Sequence, residues 1–374
     1  MDSQKNVRGI VWASEDFPGR DSMEYQLVED KYGLCMLIGN DRYVLYGEVH
    51  DDKLRIVNVV RRNGVALDEV HIPVAVDGIP VAEVSLPNAI YEKEWPNYVE
   101  RLCIPDCIQE INSWGLRYVK QTQLIPTDHP LWRVEGQMLL SLDGKKLAAL
   151  LADEVERVVV PEGVEVICSR AFDCRVAREI ILPRSLRKIE NVGFYGVRTG
   201  RIVVPDGVEF LGEQAFSNAT LEAVILPDGL KNLDKWVFCR SRVGLVHLPA
   251  DLRELPGNTF QECSFGQVEL PQGLEVIGDS AFEESNLRSL RLPEGLREIG
   301  EYAFNACRAL EHVDFPASLQ KIGTGAFMHC ARLELPELPG EIGMSESVFY
   351  RGSEDEDFAD GFVSGDEDGR VYPG

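Results

Sequence analysis

The stretch LPEGLREIGEYAF, Leu292–Phe304, places a proline, a glycine and a phenylalanine at spacings that suit neither one helix nor one strand. The same spelling recurs along the chain. Pro161, Pro183, Pro205, Pro227, Pro249, Pro271 and Pro293 follow one another at intervals of 22 residues, and Pro316 follows at 23. Phe172, Phe194, Phe216, Phe238, Phe260, Phe282, Phe304 and Phe327 each stand 11 residues after their proline. Ile or Leu stands six residues after it, as in Ile167, Ile189, Leu211, Leu233, Leu255, Ile277, Ile299 and Ile322. A ninth, degenerate copy reads LELPELPGEIGMSESVF, with Pro336 thirteen residues before Phe349.

A fixed period of this size means a solenoid: no unit buries its apolar face alone, and neighbours stack to make one continuous core. Within a coil, SLRL (Ser289–Leu292) reads as a short strand with Leu290 and Leu292 inward and Ser289 and Arg291 outward. Proline ends the strand because it has no N–H for the ladder. Gly295 turns the chain, Leu296 and Ile299 point inward, and Ala303–Phe304 bring the largest side chain to the core. Equivalent strands then lie side by side in parallel. The fold class that follows is a β-rich α/β solenoid, a right-handed superhelix with one parallel sheet face.

These residues resemble the BspA-type leucine-rich-repeat family, and the resemblance extends upstream of the regular array. HPLWRVEGQMLLSLDGKKLAALLADEVERVVVPEGVEVI (His129–Ile167) is similar to that family's hairpin insertion, with Asp143 and Gly144 as its turn. VHIPVAVDGIPVAEVSLPNAI (Val70–Ile90) resembles an opening coil, and RLCIPDCIQEINSWGL (Arg101–Leu116) a second in which Leu116 replaces the usual Phe. GLCMLIGNDRYVLYGEVHDDKLRIVNVV (Gly33–Val60) alternates like two or three antiparallel strands that would cap the solenoid. The expected organisation is an N-terminal β cap over 1–68, a solenoid over 69–350 and an acidic disordered tail over 351–374. Within the solenoid, degenerate repeats and the insertion fill 69–156 and regular repeats fill 157–350. The repeat architecture reads as a non-catalytic protein-interaction scaffold that binds a protein or peptide. The resemblance implies, as the alternative, a microbial surface or secreted adhesin that binds host or matrix proteins, and an enzyme with an unrecognised site is the second alternative.

Bulk properties narrow the partners. A net charge of −24 repels nucleic acid and anionic membrane surfaces, so neither is expected as a partner. The N-terminus MDSQKNVRGIVWASEDFPGRD lacks the apolar core of a signal peptide, and no segment approaches the ~20 apolar residues of a membrane span. The expected location is the cytoplasm, with the cell surface as the alternative that the family resemblance implies. A monomer is favoured. Nine cysteines, mostly at repeat-equivalent positions, read as buried reduced thiols. Cys103 and Cys107 have a loose metal-like spacing with no second pair, and the Asp366–Gly369 run matches only part of a calcium loop, so no metal or cofactor is expected.

No catalytic constellation emerges either. The chain has no G-x-S-x-G, H-E-x-x-H, G-x-x-x-x-G-K-[ST] or strand-linked G-x-G-x-x-G motif. His329 neighbours Cys330, but Cys330 fills the slot taken elsewhere by Cys307, Cys263 and Ser285, which reads as packing.

The outward strand positions carry the candidate site. Two residues before successive prolines stand Val159, Ile181, Val203 and Ile225, apolar where a solvated strand is normally polar, and then His247, Glu269, Arg291 and Asp314. Four residues before the prolines stand Arg157, Glu179, Arg201, Ala223 and Leu245. Val159, Ile181, Val203, Ile225, Ala223 and Leu245 form an apolar strip rimmed by Arg157, Glu179 and Arg201, a composition that marks a protein or peptide interface. The competing reading is that β-branched residues are good strand formers and that a neighbouring segment covers them.

Overall fold

A computed structural model describes residues 10–11, 24–30, 33–39, 43–61, 67–76, 79–85, 99–112, 119–125, 129–152, 154–334, 338, 342–345 and 347–350. The acidic tail over 351–374, Leu116 and Pro336 lie outside the described residues. The chain divides into two compact units, Met1–Val155 with Gly163–Arg175, and Glu156–Glu162 with Val176–Gly374. Among the described residues there are strands and turns and no helix, so the solenoid is β-structured in the described region.

In the first unit, strands Glu24–Asp30, Gly33–Gly39, Tyr43–His50 and Lys53–Arg61 form an antiparallel meander, as the alternation over Gly33–Val60 leads one to expect. Asp51 and Asp52 close its last hairpin with φ of 50° and 59°, the left-handed pair that a two-residue turn between twisted strands requires. Ile79–Ser85 then joins Lys53–Arg61 in parallel. A second sheet sets Val99–Pro105 between Leu67–His71 and Val119–Ile125, all parallel. Leu45, Leu54, Ile56, Val70, Val84, Leu102 and Ile104 are fully buried in the core of this unit.

The hairpin insertion is present as Trp132–Glu135, Met138–Ser141 and Lys146–Leu150, paired antiparallel in that order. Its turn is held by Asp143, whose Oδ1 accepts from Ser141 Oγ at 2.6 Å and from the Lys145 amide at 3.0 Å. Those two donors hold the Asp143 carboxyl below its usual range, the Ser141 hydroxyl most of all. Gly144 supplies the residue with φ of +73°. The strand is entered at His129, a buried imidazole. Its Nε2 lies 3.0 Å from the Pro105 carbonyl, while Nδ1 accepts from the Leu131 and Trp132 amides at 3.1 and 3.2 Å. With Nδ1 committed as an acceptor, the Nε2–H must donate to Pro105, and the ring is fixed as the neutral tautomer. Burial lowers its pKa accordingly.

The second unit shows what the 22-residue period is for. Six parallel strands, Glu154–Val159, Val176–Ile181, Arg198–Val203, Thr220–Ile225, Arg242–His247 and Ser264–Glu269, lie side by side in chain order. Each ends before its proline, and the carbonyls of Pro183, Pro205, Pro227, Pro249 and Pro271 accept from the amides three residues on, as in Leu230 to Pro227. A second ladder is made of two-residue strands at the Ile or Leu positions, such as Lys188–Ile189, Phe210–Leu211 and Asn232–Leu233. Leu233 is only half-buried, and the ladder restarts at Glu254–Leu255.

The phenylalanines form a continuous column. Phe194, Phe216, Phe238, Phe260, Phe282, Phe304 and Phe327 stack with centroid separations of 4.9 to 5.6 Å. Phe349 of the degenerate copy extends the column at 5.6 Å, and Phe172 is fully buried in the first unit. The backbone turns sharply at the phenylalanine corner. Two left-handed residues flank each ring: Val192 and Gly196, Gln214 and Asn218, Trp236 and Arg240, Asn258 and Glu262, Ser280 and Glu284, and Tyr302 and Ala306. Alternate amides there reach the next coil, as when Val192, Phe194 and Gly196 donate to the carbonyls of Glu213, Ala215 and Ser217. Only Gly325 in this column is glycine for a visible reason: with φ of +60°, a Cβ would stand 2.6 Å from Tyr302 Cε1.

Where the sheet is interrupted between Ser264–Glu269 and Ser289–Arg291, Asn286 substitutes for a strand. Its Oδ1 accepts from the Phe265 amide at 2.8 Å, and its Nδ2 lies 3.1 Å from Ser264 Oγ and 3.2 Å from the Phe265 carbonyl.

Candidate binding surface

The outward columns stand where the sequence places them. Across three adjacent strands the register pairs Arg201 with Ala223 and Ala223 with Leu245, and Val203 with Ile225 and Ile225 with His247. Between these columns Ile202, Val224 and Val246 point the other way and are fully buried. Over 201–203, 223–225 and 245–247 side chains of opposite parity therefore go to opposite faces, as in a pleated strand. On the outer side Val159 and Val203 are each 48% exposed and Leu245 is 37% exposed, while Ile181, Ile225 and Ala223 are half-buried beside them. No described segment covers these three exposed side chains. At the ~4.8 Å strand spacing, four strands carry the Val159–Ile225 row over about 15 Å.

The rim is charged. Arg157 Nε lies 2.8 Å from Glu179 Oε2, with the two side chains 58% and 54% exposed. Arg201 is exposed and has no ion-pair partner among the described residues. Beyond Leu245 the face becomes polar, with Gln267, Glu269, Arg291 and Asp314 all exposed.

The sequence reading missed a third outward column, five residues before each proline: Glu156, Arg178, Gly200, Glu222, Gly244 and Gly266. The strands kink there. Leu221 and Val224 both point inward, so Glu222 and Ala223 face outward in succession. A Cβ at Gly244 would stand 2.3 Å from the Glu222 carbonyl oxygen, and one at Gly266 2.5 Å from that of Gly244. The recurrence of glycine at 200, 244 and 266 was the available signal. Arg178 and Glu156 of this column pair at 2.8 Å.

The thiols show packing chemistry. Ser241, Cys263, Ser285, Cys307 and Cys330 occupy one buried column, three residues after successive phenylalanines. Cys307 and Cys330 donate to the carbonyls of Phe282 and Phe304, and Ser241 does the same to Phe216 at 2.6 Å. Burial pushes the Cys307 thiol up to about 11 and Cys330 up to about 12, the opposite of what an attacking thiolate needs. Cys174 departs from the expectation of buried thiols and is exposed. Among the described residues all cysteines are free, and no helix is long and apolar enough to cross a membrane.

The architecture defines a parallel β-solenoid with one solvent-facing sheet. The model for the BspA type leucine-rich repeat region, in 6 copies, matches residues 151–266 and 253–354, more than half of the chain, and the chain belongs to that family. It is thereby a repeat protein of the class used for protein interaction or adhesion, whose fold is typical of non-catalytic scaffolds. A leucine-rich repeat protein from Eubacterium ventriosum is similar at 16% identity, with 81% of this chain and 69% of that one covered and a TM-score of 0.42. The pneumococcal vaccine antigen PcpA is similar at 19% identity, covering 82% and 77%, with a TM-score of 0.44. A leucine-rich repeat protein from Bacteroides ovatus is similar at 18%, covering 83% and 86%, with a TM-score of 0.39. No curated protein matches the chain.

Proposed function

We propose that the chain binds a protein or peptide through the outward sheet face, with Val159, Ile181, Val203, Ile225, Ala223 and Leu245 as the apolar centre. Arg157, Glu179 and Arg201 form its polar rim. The observation that carries this reading is the exposure of Val159, Val203 and Leu245 on strands whose other face is fully buried. A contiguous apolar centre with a charged rim is the anatomy of a protein interface. A solvated strand gains nothing from leaving such side chains in water. Catalysis, cofactors and nucleic acid play no part in this reading.

The test is a pull-down from native lysate with wild type beside the Val203→Glu, Ile225→Glu double variant, followed by direct binding of the captured protein. Both substitutions are on the outward face, so circular dichroism should show an unchanged fold. A partner held by wild type and released by the variant supports the face; a partner held equally by both removes it. Family membership favours a second reading of the same face, as a surface or secreted adhesin for a host or matrix protein. Protease treatment of intact cells separates the two: cleavage supports display, and protection supports an intracellular partner.

A further inference from the structure

We propose that Glu69, His71 and Cys103 form a divalent transition-metal site, with zinc as the ion that the donor set fits best. The site is independent of the sheet face and lies wholly within the first unit. The parallel register of Leu67–His71 with Val99–Pro105 sets Glu69 opposite Arg101 and His71 opposite Cys103. Residues two apart on a strand share a face, so all four project from the same side of the pair. Val70 and Leu102 between them are fully buried on the other side. The donor atoms of Glu69, His71 and Cys103 all lie within 4.8 Å of one another.

Glu69 Oε1 is the hub. It lies 2.7 Å from His71 Nε2 and accepts from Cys103 Sγ at 3.4 Å, while Oε2 is held by Arg101 Nη1 at 3.3 Å. Arg101 therefore holds the other carboxylate oxygen and orients the group, the role that an outer partner plays around a bound metal. A zinc ion bound at ~2.0–2.3 Å from each atom needs donor separations of ~3.3–3.7 Å, so the Glu69–His71 contact opens by ~0.6 Å, the Glu69–Cys103 separation of 3.4 Å already fits, and His71 and Cys103, within 4.8 Å of each other, adjust to that range. The cluster is reachable from solvent on the Glu69 side, whose side chain is 38% exposed, against 17% for His71.

The chemistry balances as a ligand exchange. The Cys103 S–H bond breaks, its proton leaves to solvent and the thiolate electron pair binds the ion. His71, whose Nε2–H donates to Glu69 Oε1 without the ion, passes that proton through solvent to Nδ1 and binds by the freed Nε2 lone pair, and Glu69 Oε1 exchanges its hydrogen bonds for the ion. Thiolate and carboxylate together neutralise a divalent charge, and the mixed sulfur, nitrogen and oxygen set suits zinc over magnesium or calcium, which take oxygen ligands. Three protein ligands leave a fourth tetrahedral position to water.

The test uses the full chain, stripped with a chelator and titrated with Co2+ as a spectroscopic probe, then with Zn2+. The expected result is a thiolate-to-cobalt charge-transfer band saturating at one equivalent and bleached by zinc. Cys103→Ser should abolish the band and weaken zinc binding by at least ~10–100-fold. Cys107→Ser should retain both. Should Cys103→Ser fail to fold by circular dichroism, His71→Ala takes its place, with the expected outcome a zinc affinity lowered by the same margin. Failure of wild type to bind one equivalent overturns the proposal, as does wild-type zinc affinity in the folded Cys103→Ser or His71→Ala variant.

Discussion

The phenylalanine corner and the outer sheet face are made by the same coils, and they treat their residues in opposite ways. At the corner, one residue type repeats from Phe194 to Phe349, each ring about one coil above the last and within 5.6 Å of it. On the face, the column that begins with Val159 ends with Glu269, Arg291 and Asp314. The difference follows from what each side meets. A buried ring has a neighbour of fixed size above and below, so any smaller residue leaves a void that the close-packed stack cannot fill. An outward side chain meets water or a partner, and the ladder beneath it is indifferent to its identity. Invariance therefore belongs to packing, and variation along the face is where recognition can be written.

The largest effect should come from breaking the corner. Phe282 stacks on Phe260 at 5.3 Å and on Phe304 at 5.2 Å, so Phe282→Ala removes a ring from the middle of the column. The expected loss is about 3–5 kcal/mol. Coupling in a solenoid runs between nearest neighbours, so hydrogen exchange should rise in the coils that adjoin Phe282 before it rises at Val159–Ile225. An unchanged melting curve would show that the stack contributes little and that the corner is as permissive as the face.

A smaller effect tests the backbone that carries the rings. Val192 sits at φ of 54°, a left-handed conformation costly for a β-branched residue. Its amide donates to the Glu213 carbonyl, so the inter-coil ladder imposes the conformation regardless of residue type. Val192→Asn keeps that hydrogen bond and introduces a residue that tolerates the left-handed region, as Asn258 does in the equivalent position. Stabilisation by about 0.5–1 kcal/mol is expected, less than the full relief because Val192 is half-buried. Chemical denaturation measures it, and a loss of stability would mean that Val192 packing outweighs its strain.

These cases also mark how far the sequence can be read. The phenylalanines, the prolines and the inward Ile and Leu positions are legible because every coil repeats the same packing problem at the same interval. The apolar strip was legible because parity places each residue once the period is known. The left-handed positions were not, since Val192, Gln214, Trp236, Asn258, Ser280 and Tyr302 share no side-chain chemistry and are held by the backbone of the next coil. The kink that turns Glu222 outward was hidden because strict alternation predicts it inward. Glu69 and Cys103 were out of reach for another reason. They stand 34 residues apart where the repeat is degenerate, and only the parallel register brings them together.

The smallest effect sharpens the comparison from the side of the face. Arg157 and Glu179 stand on neighbouring strands in a 2.8 Å ion pair, each more than half exposed. Water screens such a pair, and holding two long side chains in one geometry costs entropy, so the coupling is worth about 0–1 kcal/mol. A double-mutant cycle over Arg157→Ala and Glu179→Ala should therefore return a coupling in that range, falling as salt is added. Partner binding should respond more than stability does, chiefly through the association rate, because rim charges steer encounter. A coupling well above 1 kcal/mol that persists at high salt would place the pair among the structural demands of the fold. The face would then share the corner's constraint, and Arg157 and Glu179 would leave the rim and join the scaffold.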